Sequence, residues 1–449
     1  MLDPSSAPAM KVLQATAWYP PRHMGGTEMY VAGLVSGLRA RGVDARVATP
    51  VEEGRTVDYD FDGVPVRTYP VDAEPRPGEL AGCAPHAGFD AFVRLLKEER
   101  PDIYHQHSWT RGLGAFHLKA AHDLGVPTVL TVHTPNTNCL SGTMMRFGAQ
   151  PCDGRILTQR CAACWSTSRG APRILAEAVS RAPDGWARFA ARGAKPGRLT
   201  TALSARALAR RRRREFDEML ANADRIVAVA QWLRQTLIDN GAPEDRVLLS
   251  RQGVEVALQQ ALRSHPLTPA PGPLRLGYLG RWHPTKGVDI LIRAVRALPA
   301  DIQVRLVIRG VSAGEEERVY EQAQRSLIGN EPRISIEPAV SREAVADVLR
   351  ELDALAVPSQ WLETGPLVVL EARAAGLPVL GSAIGGIAEL VQCGPYDRLL
   401  PPFEVVSWSR AIAELARDVE QVRAARAPAM VRDMSEATAD MADLYRSLV

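Results

Sequence analysis

Short runs of β-branched and other apolar residues alternate along the chain with longer stretches whose apolar residues recur every three or four positions. Residues 11–17 predict a strand, and the helix predicted after it carries Val31, Leu34 and Leu38 on one face. Further strands are predicted at 43–49, 64–69, 103–107, 128–133, 226–230 and 247–250. This alternation is typical of a parallel sheet covered by helices, so the sequence predicts an α/β fold.

Prolines crowd residues 266–273, and the alternation starts again at residue 274. We therefore predict an N-terminal domain over 1–265, with an irregular insertion near 135–220, and a C-terminal domain over 266–430. A last helix over 431–449 is expected to cross back to the first domain. Two tandem, Rossmann-like, doubly wound domains would face a central cleft at the carboxyl ends of their strands.

Composition narrows the class of protein. The chain has 449 residues, 46% hydrophobic and 23% charged, with a net charge of +3, which excludes disordered chains and obligate polyanion binders. No run of about 18 apolar residues is present, and the first ten residues do not resemble a secretory signal. We expect a cytoplasmic protein, with peripheral attachment to the inner face of the membrane left open.

The charge is unevenly distributed. Residues 165–215 hold 13 Arg or Lys residues and 3 acidic residues, including the run Arg210 to Arg214. This segment could bind an anionic membrane surface, or it could be a solvated basic helix face. Nucleic acid is not predicted as a partner, because few aromatic residues accompany the charges and no known binding module is present.

Four of the six cysteines, Cys139, Cys152, Cys161 and Cys164, lie within one short stretch, and the last two have the C-x-x-C spacing of metal ligands. Four thiolates suit a structural Zn²⁺, and less readily an iron–sulfur cluster. The alternative is free or buried thiols, since a free cysteine packs as a small hydrophobe.

Two glutamates, an Arg/Lys pair and a glycine turn indicate an anion site in the C-terminal domain. Gly365-Pro366 should start a helix, which places Glu363 in the preceding loop and Glu371 on the helix. Arg281 and Lys286 follow the domain's first strand and could neutralise a diphosphate. Backbone at the turn Gly385-Gly386 could approach a phosphate without a Cβ in the way.

In combination and order, these motifs resemble the C-terminal half of a GT-B glycosyltransferase of the large retaining family four, and the resemblance covers nearly the whole chain. The residues that carry it are Gly280, Arg281, Lys286, Gly287, Pro358, Ser359, Glu363, Glu371, Gly385, Gly386, Glu389 and Leu390. The resemblance implies a nucleotide-sugar donor, with its diphosphate on Arg281 and Lys286, its ribose on Glu371, and its sugar near Glu363. Some members of the family carry cysteine clusters like this one.

The N-terminal half agrees. Gly25-Gly26 resembles the family's glycine loop facing the donor phosphates, and His133, at the end of a strand, matches a histidine that commonly reaches the donor sugar. His105 and His107 are further candidates on the acceptor side of the cleft. The acceptor implied is a glycan, a lipid-linked molecule or a small molecule.

The family transfers with retention, which favours front-face attack with charge stabilisation by Arg281 and Lys286 over a nucleophilic carboxylate, for which Glu363 is the candidate. The chain lacks an obvious Asp-x-Asp pair that would hold a divalent ion at the diphosphate. We therefore expect that catalysis requires no metal. Two alternatives are a glycan phosphorylase of similar fold and a nucleotide-sugar-binding protein without turnover.

Overall fold

A computed structural model describes residues 9–22, 25–52, 54–75, 79, 82, 84–181, 198–264, 271–391 and 394–449. The chain forms two compact units. One comprises Met1–Arg251 together with Ser435–Val449, and the other comprises Gln252–Met434. Each unit has its own parallel sheet covered by helices, which confirms the predicted α/β class.

The first unit is built on a sheet in which consecutive strands lie on both sides of the first one. The strands of this sheet are β1 (Lys11–Ala15), β2 (Asp44–Glu52), β3 (Tyr59–Phe61), β4 (Val64–Val71), β5 (Ile103–Gln106), β6 (Thr128–Val132), β9 (Arg225–Ala228) and β10 (Val247–Leu249). Two further strands, β7 (Met145–Arg146) and β8 (Gln150–Pro151), form a separate hairpin. The order in the sheet is β10-β9-β6-β5-β1-β2-β4-β3, and only β3 pairs antiparallel. Val12 of β1 lies opposite Ala45 and Ile103, so the strand order reverses between β1 and β5.

Helices cover both faces of this sheet: α1 (Gly26–Arg39), α2 (Phe89–Glu99), α3 (Ala115–Asp123), α4 (Thr158–Ser168), α5 (Arg173–Ser180), α6 (Arg198–Asn222) and α7 (Gln231–Asp239). Every residue of β6 is buried, as expected for a central parallel strand with helices on both sides. Leu13, Leu130 and Ile226 of the strands pack with Phe92 and Leu233 of the helices in one apolar cluster.

The second unit contains β11 (Leu274–Arg281), β12 (Val304–Val311), β13 (Ile334–Ile336), β14 (Ala354–Val357), β15 (Val379–Ser382) and β16 (Arg398–Leu400). All pair in parallel in the order β13-β12-β11-β14-β15-β16. This is the strand order of dinucleotide-binding folds, with its reversal between β11 and β14. Its helices are α8 (Val256–Ser264), α9 (Val288–Arg296), α10 (Glu315–Ile328), α11 (Val345–Glu351), α12 (Leu367–Ala374), α13 (Gly385–Leu390), α14 (Val405–Arg417) and α15 (Val419–Ala424).

The boundary between the units lies earlier than the prolines predict. Pro266 and Pro269 are outside the described residues, whereas α8, just before them, belongs to the second unit. Its apolar residues Leu258 and Leu262 pack in the cluster that contains Leu349 of α11. Helix α8 belongs to the second unit because its apolar face is buried there.

The last helix, α16 (Met434–Arg446), packs in the first unit from Ser435 onward. Arg41, just after α1, donates to the Ser435 hydroxyl at 2.9 Å, and the Ser250 hydroxyl donates to Asp440 at 3.0 Å. Helix α1 comes so close that a Cβ on Gly37 would lie 2.6 Å from the Thr438 hydroxyl oxygen. The N-terminal unit is therefore completed by the C-terminal end of the chain.

Candidate functional site

Two loops of the second unit meet where its strand order reverses, the place at which such sheets bind ligands. The loop after β11 carries Lys286, and the loop after β14 carries Glu363. Gly287 allows the two loops to approach, because it has a φ of +68° and a Cβ there would lie 2.0 Å from the carbonyl oxygen of Pro358. The glycine therefore fixes where Lys286 lies.

Glu363 is the buried centre of this arrangement. Its side-chain oxygen Oε1 accepts hydrogen bonds from Lys286 Nζ at 2.5 Å, Ser359 Oγ at 2.7 Å and Trp361 Nε1 at 2.8 Å. The Lys286 ammonium also lies 5.6 Å from the centre of the Trp361 ring, within range of a cation–π contact. The sequence predicted Lys286 and Glu363 separately, and the structure brings them together as a pair.

Opposing effects set the pKa of Glu363. Burial disfavours the charged carboxylate, but the Lys286 charge and the hydrogen bonds from Lys286, Ser359 and Trp361 outweigh burial and hold the pKa below its usual value. Glu363 is therefore a fixed anion that orients Lys286. It cannot act as a proton donor near neutral pH.

Gly385 and Gly386 pack against the loop that carries Glu363. Gly385 has a φ of +58°, and a Cβ on either glycine would lie 2.8 Å from the Glu363 carbonyl oxygen. The N–H of Gly386 donates to that same oxygen at 2.6 Å. The sequence predicted these glycines as a place for phosphate, and the structure adds that they are needed to seat the loop.

Arg281 ends β11, and its side chain is 55% exposed. Its guanidinium lies 3.4 Å from Glu317 on α10, a weak and solvent-screened pair. An exposed arginine at the carboxyl end of β11 is accessible to an anionic ligand.

Glu371 lies on α12, which begins directly after Gly365-Pro366, as the sequence predicts. Its carboxylate is buried and accepts a hydrogen bond from Arg342 at 2.5 Å, and Arg342 also donates to Glu255 at 3.2 Å. A carboxylate has lone pairs for donors beyond Arg342, and the predicted contact of Glu371 with a ribose stays a prediction. Arg342 was not predicted from the sequence, since nothing local marks a residue 29 positions from its partner.

In the first unit, Gly25 is the N-cap of α1, which begins at Gly26. A Cβ on Gly26 would meet no atom within 4 Å, whereas one on Gly25 would lie 2.4 Å from the Glu28 carboxylate. Because Gly25 has no side chain, it offers no side-chain acceptor to the first N–H groups of α1. Their role at a phosphate stays a prediction.

His133 follows β6 and is 5% exposed. Burial lowers the pKa of His133 to about 3, so the ring is neutral at physiological pH. Nδ1 of His107 lies 3.1 Å from Nε2 of His133, and the Tyr30 ring packs edge-on against His133 at 5.0 Å. His105 and His107 were further candidates for the acceptor side of the cleft, but both are buried and contact His133 or its strand inside the first unit.

A second feature of the first unit is a cavity of about 300 Å³ beside the start of α3. Trp109, Arg111 and Arg211 line it, with His86 and His117 stacked at its wall. The two rings share a hydrogen bond between their Nε2 atoms at 3.1 Å. Burial lowers the pKa of each histidine, so both rings are neutral at physiological pH.

Cys139, Cys152, Cys161 and Cys164 line one small cavity of about 30 Å³ near the β7–β8 hairpin. The Phe147 N–H donates to Cys164 Sγ at 3.1 Å, and burial raises the pKa of Cys161 to about 11. Among the described residues, no three His, Cys, Asp or Glu side chains are arranged to hold a metal ion. The thiols therefore converge without forming a finished coordination site, and zinc stays a prediction.

The arginine run lies on α6 and interacts mainly with the chain itself. Arg211 and Arg212 pair with Glu215 at 2.6 and 3.4 Å, Arg213 pairs with Asp217, and Arg210 and Arg214 also have partners. The part of the basic segment between residues 182 and 197 lies outside the described residues. In the parts of the chain that the structure describes, no helix is long and apolar enough to cross a bilayer.

Comparison with curated proteins finds similar transferases. The D-inositol 3-phosphate glycosyltransferase of Xylanimonas cellulosilytica is 28% identical over 439 residues, which cover 94% of this chain and 91% of that protein. The protein of the same name from Nocardia farcinica is 31% identical over 216 residues, which cover 46% of this chain and 48% of that protein.

Solved structures share the fold over nearly the whole chain. Alr3699/HepE of Anabaena, in complex with UDP and glucose, aligns with a TM-score of 0.62 at 18% identity, covering 98% of this chain and 100% of that one. WaaG, a glycosyltransferase involved in lipopolysaccharide biosynthesis, aligns with a TM-score of 0.61 at 17% identity, covering 97% and 99%. These likenesses confirm the predicted GT-B fold.

Family models match both units. The model described as Glycosyl transferases group 1 matches residues 264–429, which include the Lys286–Glu363 pair and Glu371. The model described as Glycosyl transferase 4-like domain matches residues 25–253, about half of the chain, from the glycine loop to the end of the first unit. The chain belongs to this family of glycosyltransferases and is a glycosyltransferase.

Proposed function

We propose that this enzyme moves a sugar from a nucleotide-sugar donor, bound by the second unit, to an acceptor hydroxyl with retention of anomeric configuration. The observation that carries the donor assignment is the pair formed by the partly buried Lys286 and the buried Glu363 beside the reversal between β11 and β14. Structures of Alr3699/HepE in complex with UDP and with UDP-glucose support a donor of this kind for a chain of the same fold.

The residues of the second unit have separate tasks in this proposal. Lys286 has three N–H donors, and its bond to Glu363 uses one, which leaves two for the diphosphate. Arg281 adds a planar, bidentate donor from the surface. Glu371 accepts from the ribose, and Gly385 and Gly386 seat the loop that holds Glu363. None of these steps requires a metal ion.

Retention without a covalent intermediate fits the state of Glu363. Three donors already converge on its Oε1, and they lower the nucleophilicity of that oxygen. The front-face route instead uses a phosphate oxygen of the donor to take the acceptor proton as the glycosidic bond to phosphate breaks. Arg281 and Lys286 stabilise the charge that develops on the leaving diphosphate, which is where such sites gain most of their rate.

For the acceptor we propose a small polyhydroxylated molecule that carries an anionic group, bound in the 300 Å³ cavity of the first unit. Arg111 and Arg211 line this cavity, each paired with an acid of the same lining, Glu79 and Glu215, so an anionic group would share their guanidinium donors with these carboxylates. Trp109 offers an apolar face. The names of the relatives, D-inositol 3-phosphate glycosyltransferases, support this class. Attachment of the basic segment to an anionic membrane surface is a further hypothesis that rests on composition.

Turnover of radiolabelled nucleotide-sugars with inositol phosphates and sugar phosphates as acceptors tests the proposal. Release of nucleoside diphosphate with a labelled product of retained configuration is expected, and Lys286→Ala should abolish it. An inverted product would contradict the mechanism. Sugar 1-phosphate formed only with added phosphate would support the phosphorylase alternative, and binding without either product would support a non-catalytic protein.

A further inference from the structure

A chain of buried hydrogen bonds inside the first unit links the last helix to His133. The side-chain nitrogen of Gln14, on β1, donates to the hydroxyl of Tyr445, on α16, at 2.9 Å. The Gln14 side-chain oxygen lies 2.6 Å from Nε2 of His107, whose Nδ1 lies 3.1 Å from Nε2 of His133. All four side chains are buried, so water does not compete for these bonds.

The Tyr445 hydroxyl has a second partner that completes its bonding. It lies 2.5 Å from Nδ1 of His105, and Nε2 of His105 lies 2.7 Å from the Thr131 hydroxyl. Tyr445 thus accepts from Gln14 and can donate to His105. The Tyr445 hydroxyl oxygen is therefore the acceptor for the amide nitrogen of Gln14 in the core.

The direction of the Gln14 amide decides where the protons of the histidines lie. Its oxygen only accepts, so Nε2 of His107 carries the proton of that bond. Burial, and then the nearby His105 and His133, hold the pKa of His107 well below its usual value, so the ring is neutral and its Nδ1 is a lone pair. His133 must then donate from Nε2.

We propose that Tyr445 is a positioning residue that, through Gln14 and His107, holds the proton of His133 on Nε2 and its ring in one orientation. The effect on catalysis rests on the proposed function and on the prediction, from the family resemblance, that His133 reaches the donor sugar. With its proton on Nε2, the neutral His133 ring has Nδ1 as its acceptor nitrogen.

Removal of the Tyr445 hydroxyl should reverse the chain. In Tyr445→Phe the amide nitrogen of Gln14 would face a phenyl ring and have no acceptor there. A buried N–H group without an acceptor is tolerated less well than a carbonyl oxygen without a donor. The amide is therefore expected to turn over and donate to Nε2 of His107. His107 would then donate from Nδ1, and His133 would carry its proton on Nδ1.

Nitrogen-15 NMR of histidine-labelled protein reads the protonated nitrogen of a neutral ring directly, with the His133 signal assigned by its loss in His133→Asn. We expect Nε2–H in the unmodified protein and a large fraction of Nδ1–H in Tyr445→Phe. Tyr104→Phe is the matched control, because Tyr104 is equally buried and donates to Gln106 at 3.1 Å outside this chain of bonds. It should leave His133 unchanged.

A proton on Nδ1 in the unmodified protein, or an unchanged His133 in Tyr445→Phe, would overturn the proposal. If Tyr445→Phe does not fold, Gln14→Met serves, since it removes both bonds and should also release the preference at His133. In transfer assays, Tyr445→Phe should lower kcat roughly two- to tenfold, as expected for one hydrogen bond, with little change in KM for the donor. A changed NMR signal without a change in kcat would retain the positioning and contradict the proposed role of His133.

Discussion

Lys286 and Arg281 are assigned to the same diphosphate, but the protein holds them differently. Either substitution, Lys286→Ala or Arg281→Ala, should weaken nucleoside diphosphate binding tenfold or more, because hydrogen bonds to charged groups contribute about 1.5 to 3 kcal/mol. Only Lys286→Ala should also lower the melting temperature, because it leaves Glu363 buried without its cation, a loss of roughly 3 to 5 kcal/mol.

Isothermal titration with a nucleoside diphosphate and with the bare nucleoside, alongside thermal denaturation, separates these effects. Arg318→Ala is the control, since Arg318 forms an exposed pair with Glu315 on the same unit. An equal loss of affinity for the bare nucleoside would mean that the phosphates lie elsewhere.

Single residues were predictable where a short motif marks them. Lys286 follows a strand and Glu363 precedes a proline-started helix, and both signals are local. Arg342 carries no such signal, because it reaches Glu371 only once β13 and α12 have taken their places in the fold. The burial of His105 and His107 was missed for the same reason, since a strand end can turn inward as well as outward.

At the scale of elements, the turn before α13 should not tolerate a side chain. In Gly386→Ala the new Cβ would lie 2.8 Å from backbone atoms of Glu363, Thr364 and Gly365, so the loop must shift. We expect a lower melting temperature and at least tenfold weaker nucleoside diphosphate binding, because Glu363 and Lys286 move together. Gly314→Ala, at the start of α10, places its Cβ in open space and should change binding little. Equal behaviour of the two variants would contradict a role for the turn in seating Glu363.

The cysteine cavity gives a second prediction for an element. Four thiols around one cavity of about 30 Å³ can close on a single ion, with thiolates replacing the protonated thiols that burial favours. Protein purified without added metal is expected to contain close to one equivalent of zinc by elemental analysis. Cys161→Ser should reduce that content and the melting temperature together. A zinc content near zero, without the absorbance of an iron–sulfur cluster, would favour the free-thiol alternative.

The alternation of apolar runs with helix-periodic stretches predicted most strands and helices, because central strands such as β6 are buried on both faces whereas a covering helix buries one. It failed at the domain boundary, where α8 lies before the proline-rich stretch yet packs with the second unit. It also gave no order for residues 135–220, since the β7–β8 hairpin and α4 to α6 are short or carry polar residues on most faces.

At the scale of the whole molecule, the pairing of distant segments was the least predictable feature. Tyr445 and His105 are 340 residues apart, and no pattern in either segment indicates their contact. The return of the last helix was expected only from resemblance to a family. This helix also helps to bury His105, one of several buried histidines that make the stability of the first unit depend on pH.

Acid should unfold this protein readily. Burial, as the largest cause, lowers the pKa values of His86, His105, His107, His117 and His133, the last to about 3, whereas the unfolded chain has histidine pKa values near 6.5. Below pH 6.5 the unfolded state therefore binds more protons than the folded state. Each such histidine then removes up to about 1.4 kcal/mol from the free energy of unfolding per pH unit, and above pH 6.5 the effect vanishes.

Urea unfolding at pH 7.5, 6.5 and 5.5 measures this slope in a range above that in which carboxylates such as Glu363 gain protons. The midpoint should be nearly constant from pH 7.5 to 6.5 and fall steeply from 6.5 to 5.5. Replacing both stacked histidines, His86→Gln with His117→Gln, should make the fall in the free energy of unfolding shallower, by at most the two protons that these rings take up on unfolding. His122→Gln, at an exposed position, should leave it unchanged. A midpoint independent of pH in this range would show that the buried rings are protonated in the folded state. The hydrogen-bond chain from Tyr445 requires neutral His107 and His133, so that result would contradict it as well.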